Sequence, residues 1–442
     1  MQWTHILAIS ILFILTIVVI LSGSSFGPIS PAFSRAKITN ATLNFTDNSL
    51  KSQLITTGLK APTAMAFLGP NDIVVTEKNT GNVVRVVNGV ISAQPLLHVN
   101  VTKKDERGLL GLAIPSSAGR TKKIFLYYTE AENRSNQSGL LSLGALGNRV
   151  YTYDLSGDKL VNAKLLLDLP ALPGPRHNAG KIAIGLDNNL YVSIGDVDGS
   201  FRTIATETKA QNYVDGPAPD GRAGILRITQ DGQPVGEGIL GTTPLLNLYY
   251  AYGIKNSFGF DFDPITGKMW ETENGPTFGD EINLVEPGFN GGWAKVQGIW
   301  KTVAVAGAEP EKGEIATNDS LDLVDFGGRG KYSAPEFTWS NTVAPTAIRF
   351  LTTDKLGSQY RNDLLVADVK YGNIYHFKLN KDRTGFILNG TLADKVATGE
   401  DNTEQIEFAS GFGGITDMQI GPDGYLYVLV FDRLDGRIYR IE

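Results

Sequence analysis

From about residue 59 onward, short runs of alternating apolar and polar residues are separated by Asp, Asn and Gly turns. A period of two predicts half-buried strands joined by tight connections rather than helices. One unit recurs: an apolar strand, a turn, then a second strand rich in Tyr, Val and Ile. It begins as "AMAFLGPNDIVVTEKNTGNVVRVV" at Ala64, "GLLGLAIPSSAGRTKKIFLYYTE" at Gly108 and "GKIAIGLDNNLYVSIGD" at Gly180. It returns as "FGFDFDPITGKMWETENG" at Phe258, as "TAIRFLTTDKLGSQYRNDLLVADVKYGNIYHFKLN" at Thr346 and as "GITDMQIGPDGYLYVLVFDRLDGRIYRIE" at Gly414. Six copies predict an all-β fold, a six-bladed β-propeller, with a β-sandwich as the competitor.

Ahead of the repeats the pattern changes. Ile6 to Leu21 is an uncharged apolar run, followed by Ser22-Gly23-Ser24-Ser25. It predicts an N-terminal hydrophobic helix, with residues 1–24 acting as a signal peptide or a membrane anchor. Residues 25–50, rich in Ser, Thr and Asn, read as a stalk, and 51–442 as the propeller domain. The expected location is extracellular or on the cell surface, secreted or tethered to a membrane. Seven Asn-x-Ser/Thr sites, at Asn40, Asn44, Asn100, Asn133, Asn136, Asn318 and Asn389, agree with export.

Composition removes some options. The 40 basic and 46 acidic residues are interspersed, for a net charge of -6, so no basic stripe exists to displace counterions from nucleic acid. The absence of cysteine excludes disulfides and thiolate metal sites.

Ligands of such folds sit on loops that enter or leave the inner strands, and those loops hold the candidate chemistry. Of four histidines, His177 lies in the Pro/Gly loop "LPGPRHNAGKIAIG", at the entrance to a strand. A neutral imidazole there is a candidate proton acceptor. Lys255 and Asn256 precede another unit's first strand, Lys370 follows a second strand and Arg176 adjoins His177, a set suited to a polyanionic ligand. The stretch "ENGPTFGDEINLVEPGFNGGW", Glu273 to Trp293, places Asp280 beside Glu281 between two Gly-rich turns, which suits either a solvated loop or a hard cation.

In order along the chain, "ERGLLGLAIP", "HNAGKIAIGLDNNLYVSIGD", "YGIKNSFGFDFDPITGKMWETENGP", "GDEINLVEPGFNGGW", "NTVAPT", "VKYGNIYHFKL" and "GPDGYLYVL" resemble successive motifs of the soluble, pyrroloquinoline-quinone-dependent aldose and glucose dehydrogenases, the glucose/sorbosone dehydrogenase family. The resemblance runs from about Leu59 to the C-terminus. It implies a six-bladed propeller, pyrroloquinoline quinone and Ca2+ as cofactors, a sugar or other small hydroxylated substrate, and an electron acceptor of unknown identity. It implies that His177 is the general base and that Glu106, Lys255, Asn256 and Lys370 surround the cofactor. It implies that Gly275 and Pro276 offer carbonyls to a cofactor-linked calcium. Glu281 and the Gly291 carbonyl would hold a second calcium, with Asp280 as a neighbour that is either solvated or placed behind its ligands.

The chain departs from the family pattern at several positions. Glu106 stands where glutamine is usual, Lys255 where arginine is usual, and Gly414 and Thr416 where an Arg-x-Arg pair grips the quinone; Phe258 and Gly291 also differ. These departures keep open an alternative, a non-catalytic surface propeller that binds glycans or proteins. A calcium-dependent lactonase using Asp187, Asp196, Asp198 and Glu273 is a third expectation.

Overall fold

The computed structural model describes residues 43–115, 122–132, 144–197, 207–305, 308–317 and 321–442, the side chains of residues 400 and 401 apart. Alternating runs become strands as predicted, and strands covered on both faces read as continuous apolar runs. Every residue of Leu109–Ala113, Leu190–Ile194, Leu364–Asp368 and Leu426–Val430 is buried. By contrast Lys159–Leu169, at the edge of its sheet, is largely exposed and carries Lys, Asn and Asp, which discourage pairing with another chain. Connections follow turn chemistry: Asp187 Oδ1 accepts from the Asn189 amide, and Asn188 takes a φ of 62°, between Ile182–Ile184 and Leu190–Ile194.

Hydrophobic clusters fill the spaces between sheets. One packs Trp270, Phe337, Trp339, Phe350, Tyr375 and Phe377, with the Phe337 and Trp339 rings 4.8 Å apart edge to face. Another packs Leu50 with Ala347, Phe408, Phe412 and Met418. Residues 43–50, inside the stretch read as a stalk, therefore pack on the folded body, and Asn44–Phe45 pairs with Glu407–Ser410. The two ends of the domain meet, Ser52–Leu59 lying antiparallel to Gly436–Ile441.

The expected six-bladed propeller is corrected by this arrangement. The described residues form seven separate sheets of three to six strands, and no hydrogen-bonded path joins them into a closed barrel. The repeat count missed residues 289–332. There Phe289–Asn290 and Lys331–Tyr332 join, in parallel, the sheet containing Tyr249–Tyr252, while Val296–Gln297, Trp300–Val303 and Glu311–Ile315 build a sheet of their own. The longest helix among the described residues is Glu400–Thr403, and none there is long and apolar enough to cross a membrane. The apolar run Ile6 to Leu21, and with it the expected helix and anchor, lies outside the described residues.

Candidate active site

Loops from several sheets converge on a cavity of about 520 Å³, within the range of small-molecule sites. Its walls include Glu106, Arg176, His177, Lys255, Asn256 and Lys370, together with Gly275, Pro276, Asp280, Glu309 and Thr342. Every residue assigned to the base and the cofactor from sequence thus faces one space.

His177 is held by the close approach of three backbone segments. The Val197 amide donates to the His177 carbonyl, and the Asp196 amide to that of Lys255. Between them sits Gly195, where any Cβ would collide with both carbonyl oxygens. The ring is buried, with Nδ1 2.6 Å from Asp196 Oδ1. The other Asp196 oxygen accepts from Trp293 Nε1 at 2.8 Å. Nδ1 therefore carries the proton and Nε2 a lone pair, which faces Lys255 Nζ at 2.8 Å and Glu309 Oε1 at 3.9 Å. Burial and Lys255 push the imidazole pKa down, but the Asp196 charge and hydrogen bond, with Glu309, outweigh them and raise it above 6.5.

Asn256 links two walls: its Nδ2 donates to Glu106 Oε2 at 3.1 Å and its Oδ1 accepts from the Ala179 amide at 3.1 Å. Lys370 Nζ donates to the Thr342 carbonyl at 2.6 Å. Gly414 and Thr416 do not line this cavity; Thr416 Oγ1 donates to the Pro62 carbonyl, beneath it. The cations facing the cavity are Arg176, Lys255 and Lys370, and the carboxylates Glu106, Asp280 and Glu309.

Of the two places expected for Asp280, solvated or behind the ligands, its burial excludes the solvated one. It is fully buried; Oδ1 accepts from the Gly275 amide at 2.8 Å, and Oδ2 from the Val343 and Ala344 amides at 2.6 and 2.7 Å. Burial raises its pKa to about 6 against these hydrogen bonds. It clamps the Gly275-Pro276 turn to the opposite wall. The carbonyls of Gly275 and Pro276 accept no hydrogen bond from the described residues, so both are available to a cation.

Glu281 belongs to a different place, the buried pairing of Met269–Glu273 with Asp280–Val285. Asn283 Nδ2 donates to Glu271 Oε1 at 2.7 Å and to Glu281 Oε2 at 2.8 Å, while Gln297 Nε2 and the Gly298 amide donate to Glu281 Oε1. Glu271 Oε2, Glu273 Oε2, Asn283 Oδ1 and Gln297 Oε1 are buried acceptors without a donor. A Cβ on Gly291 would sit 3.4 Å from Glu273 Oε2, so that turn approaches the same cluster. Burial raises Glu271 to about 7 and Glu281 to about 8, and lifts Glu273 as well, with mutual repulsion adding to it. No three His, Asp or Glu side chains among the described residues converge closely enough to ligate an ion by themselves. An ion here would complete its oxygen shell from amide and backbone carbonyls, which suits a hard cation such as calcium. The orphaned acceptors fit that group.

Sequence reasoning missed Asp196 as the partner of His177, and Trp293 behind it. The only local signal is the Gly-Asp step that ends Leu190–Ile194. Asp187 and Asp196 do not converge with Glu273 on a channel ion, and Asp198 lies outside the described residues.

A family model described as glucose/sorbosone dehydrogenase matches residues 59–440. The chain is 28% identical to quinoprotein glucose dehydrogenase B of Acinetobacter calcoaceticus over 368 residues, 79% of this chain and 73% of that protein. It is similar to the structure of a Thermus thermophilus oxidoreductase described as a glucose dehydrogenase, with a TM-score of 0.65, 26% identity, and coverage of 89% of this chain and 100% of that one. The fold is also like that of the PQQ-bound aldose sugar dehydrogenase from Streptomyces coelicolor, with a TM-score of 0.61 and 21% identity over 91% of this chain and 98% of that one.

Proposed function

The chain belongs to the glucose/sorbosone dehydrogenase family, and on that footing we propose that it oxidises an aldose or a related alcohol, with His177 as general base. The observation that carries this reading is the row Trp293–Asp196–His177, which ends with Nε2 at the wall of the cavity. Pyrroloquinoline quinone with calcium, when bound, supplies the two-electron acceptor and a Lewis acid.

The chain's own residues have three tasks. His177 Nε2 takes the substrate hydroxyl proton as the carbon gives up hydride, and Asp196 holds the ring in the tautomer that leaves Nε2 free to accept it. Lys255 must leave Nε2 before that happens, and an anionic carboxylate entering the cavity gives its ammonium a better partner. Arg176, Lys255, Asn256 and Lys370 bind the anionic cofactor, replacing the grip that Gly414 and Thr416 cannot supply. The Gly275 and Pro276 carbonyls would hold the cofactor's calcium, and Glu281 with the Gly291 carbonyl would hold a second, structural one.

The apolar run Ile6 to Leu21 and the Asn-x-Ser/Thr sites support export as part of the same reading. A second reading, a non-catalytic surface protein that binds glycans or proteins, is favoured by Glu106, whose buried carboxylate repels an anionic quinone. Reduction of a dye acceptor by purified protein supplied with quinone, calcium and an aldose separates the two.

A further inference from the structure

A second cavity, of about 430 Å³, lies beside the first. The two share a wall that is one chain segment thick on each side. Thr342, Ala344 and Lys370 face the catalytic cavity, while their neighbours Asn341, Val343 and Tyr371 face the second. Lys370 stiffens the wall, its Nζ bonded to the Thr342 carbonyl and 4.7 Å from the centre of the Tyr371 ring.

The chemistry of the second cavity is selective. Asn341, Asn373, Glu404 and Glu407 supply amide and carboxylate groups, and Trp339 and Tyr371 supply aromatic surface. Among the described residues no Lys, Arg or His lines it, so an anion finds no counter-charge there. An apolar ligand would strip water from the carboxylates and amides without replacing their hydrogen bonds. A neutral polyhydroxylated molecule meets both demands, since its hydroxyls donate to carboxylates and pair with amides while its C–H faces cover the rings.

We infer that this cavity binds a neutral saccharide unit, at a site separated by that wall from the catalytic cavity. Binding there needs no cofactor.

The test is calorimetric titration of the full chain, without quinone, with glucose, maltose, cellobiose and tetramethylammonium, repeated on Asn341→Ala and Glu407→Gln. Asn341 is exposed, and unchanged thermal unfolding confirms an intact fold. The expected result is that at least one of these saccharides binds, and that each substitution weakens it about three- to tenfold, the worth of one hydrogen bond. His177→Ala should leave that binding in place. No saccharide binding, binding unaffected by both substitutions, or preference for the organic cation would overturn the inference. Saccharide binding by a protein that oxidises no sugar would keep the site and remove only the redox reading.

Discussion

Lys255 Nζ stands 2.8 Å from Nε2 of His177, the nitrogen through which a substrate proton would have to pass. The base is thus covered by a cation until something anionic draws that cation away. Asp196 fixes the other side of the ring, and Trp293 fixes Asp196. The arrangement couples occupancy of the cavity to exposure of the base.

Removing the base should cost the rate a general base ordinarily supplies. His177→Ala is expected to lower kcat by about 10²- to 10⁴-fold while quinone affinity changes little. Steady-state dye reduction with calorimetry on the same preparation checks both. A kcat within a few-fold of the unmodified protein would exclude His177 as base.

The pH profile follows from the raised imidazole pKa. Proton acceptance needs the neutral ring, so kcat/KM should fall as pH drops through a value above 6.5. Asp196→Asn removes the main upward influence and should move this acid limb to lower pH as well as slow the reaction. The linked stability has the opposite sense: it is complete below the unfolded-state pKa and is lost as pH rises through the folded one. A merely structural Asp196 would leave the limb in place.

Calcium dependence should appear in stability before it appears in activity. Glu271 and Glu281 have pKa values raised to about 7 and about 8, and Glu273 is raised too. Their contribution is complete below the ordinary carboxylate range and lost as pH climbs through the raised values, so chelated protein should lose stability between acid and neutral pH. Calcium at a hundredfold excess over its Kd should restore about 2.7 kcal/mol, more at the upper end of that range. Glu281→Gln should abolish the response. Thermal unfolding with calcium and with chelator reads the outcome, and a midpoint indifferent to both would remove the cation from the cluster.

Glu106 faces the same cavity as Lys255 and Lys370. Glu106→Gln keeps an acceptor for the Asn256 amide and removes a negative charge. Quinone binding should tighten about fivefold, or about 1 kcal/mol. Weaker binding would mean that the carboxylate helps hold the cofactor.

The strands were readable because burial on one or both faces leaves a period-two or continuous apolar trace, as in Leu190–Ile194 and Leu426–Val430. The number of sheets was not. Parallel pairing of Phe289–Asn290 and Lys331–Tyr332 leaves no turn signature, so residues 289–332 were absent from the repeat count. His177 announced itself by its Pro/Gly loop, whereas its union with Asp196 depends on three loops packed across Gly195. Whether Asp280 is solvated or buried was not legible, because its partners, the amides of Val343 and Ala344, lie more than sixty residues away.

The central claim is that this cavity performs quinone-linked oxidation of a sugar. Its most direct test is the rate of dye reduction by purified protein with pyrroloquinoline quinone, calcium and an aldose, each component also omitted in turn. The account predicts turnover that requires all three and is lost in His177→Ala. Absence of both turnover and quinone binding in the unmodified protein, with calcium present, would contradict it.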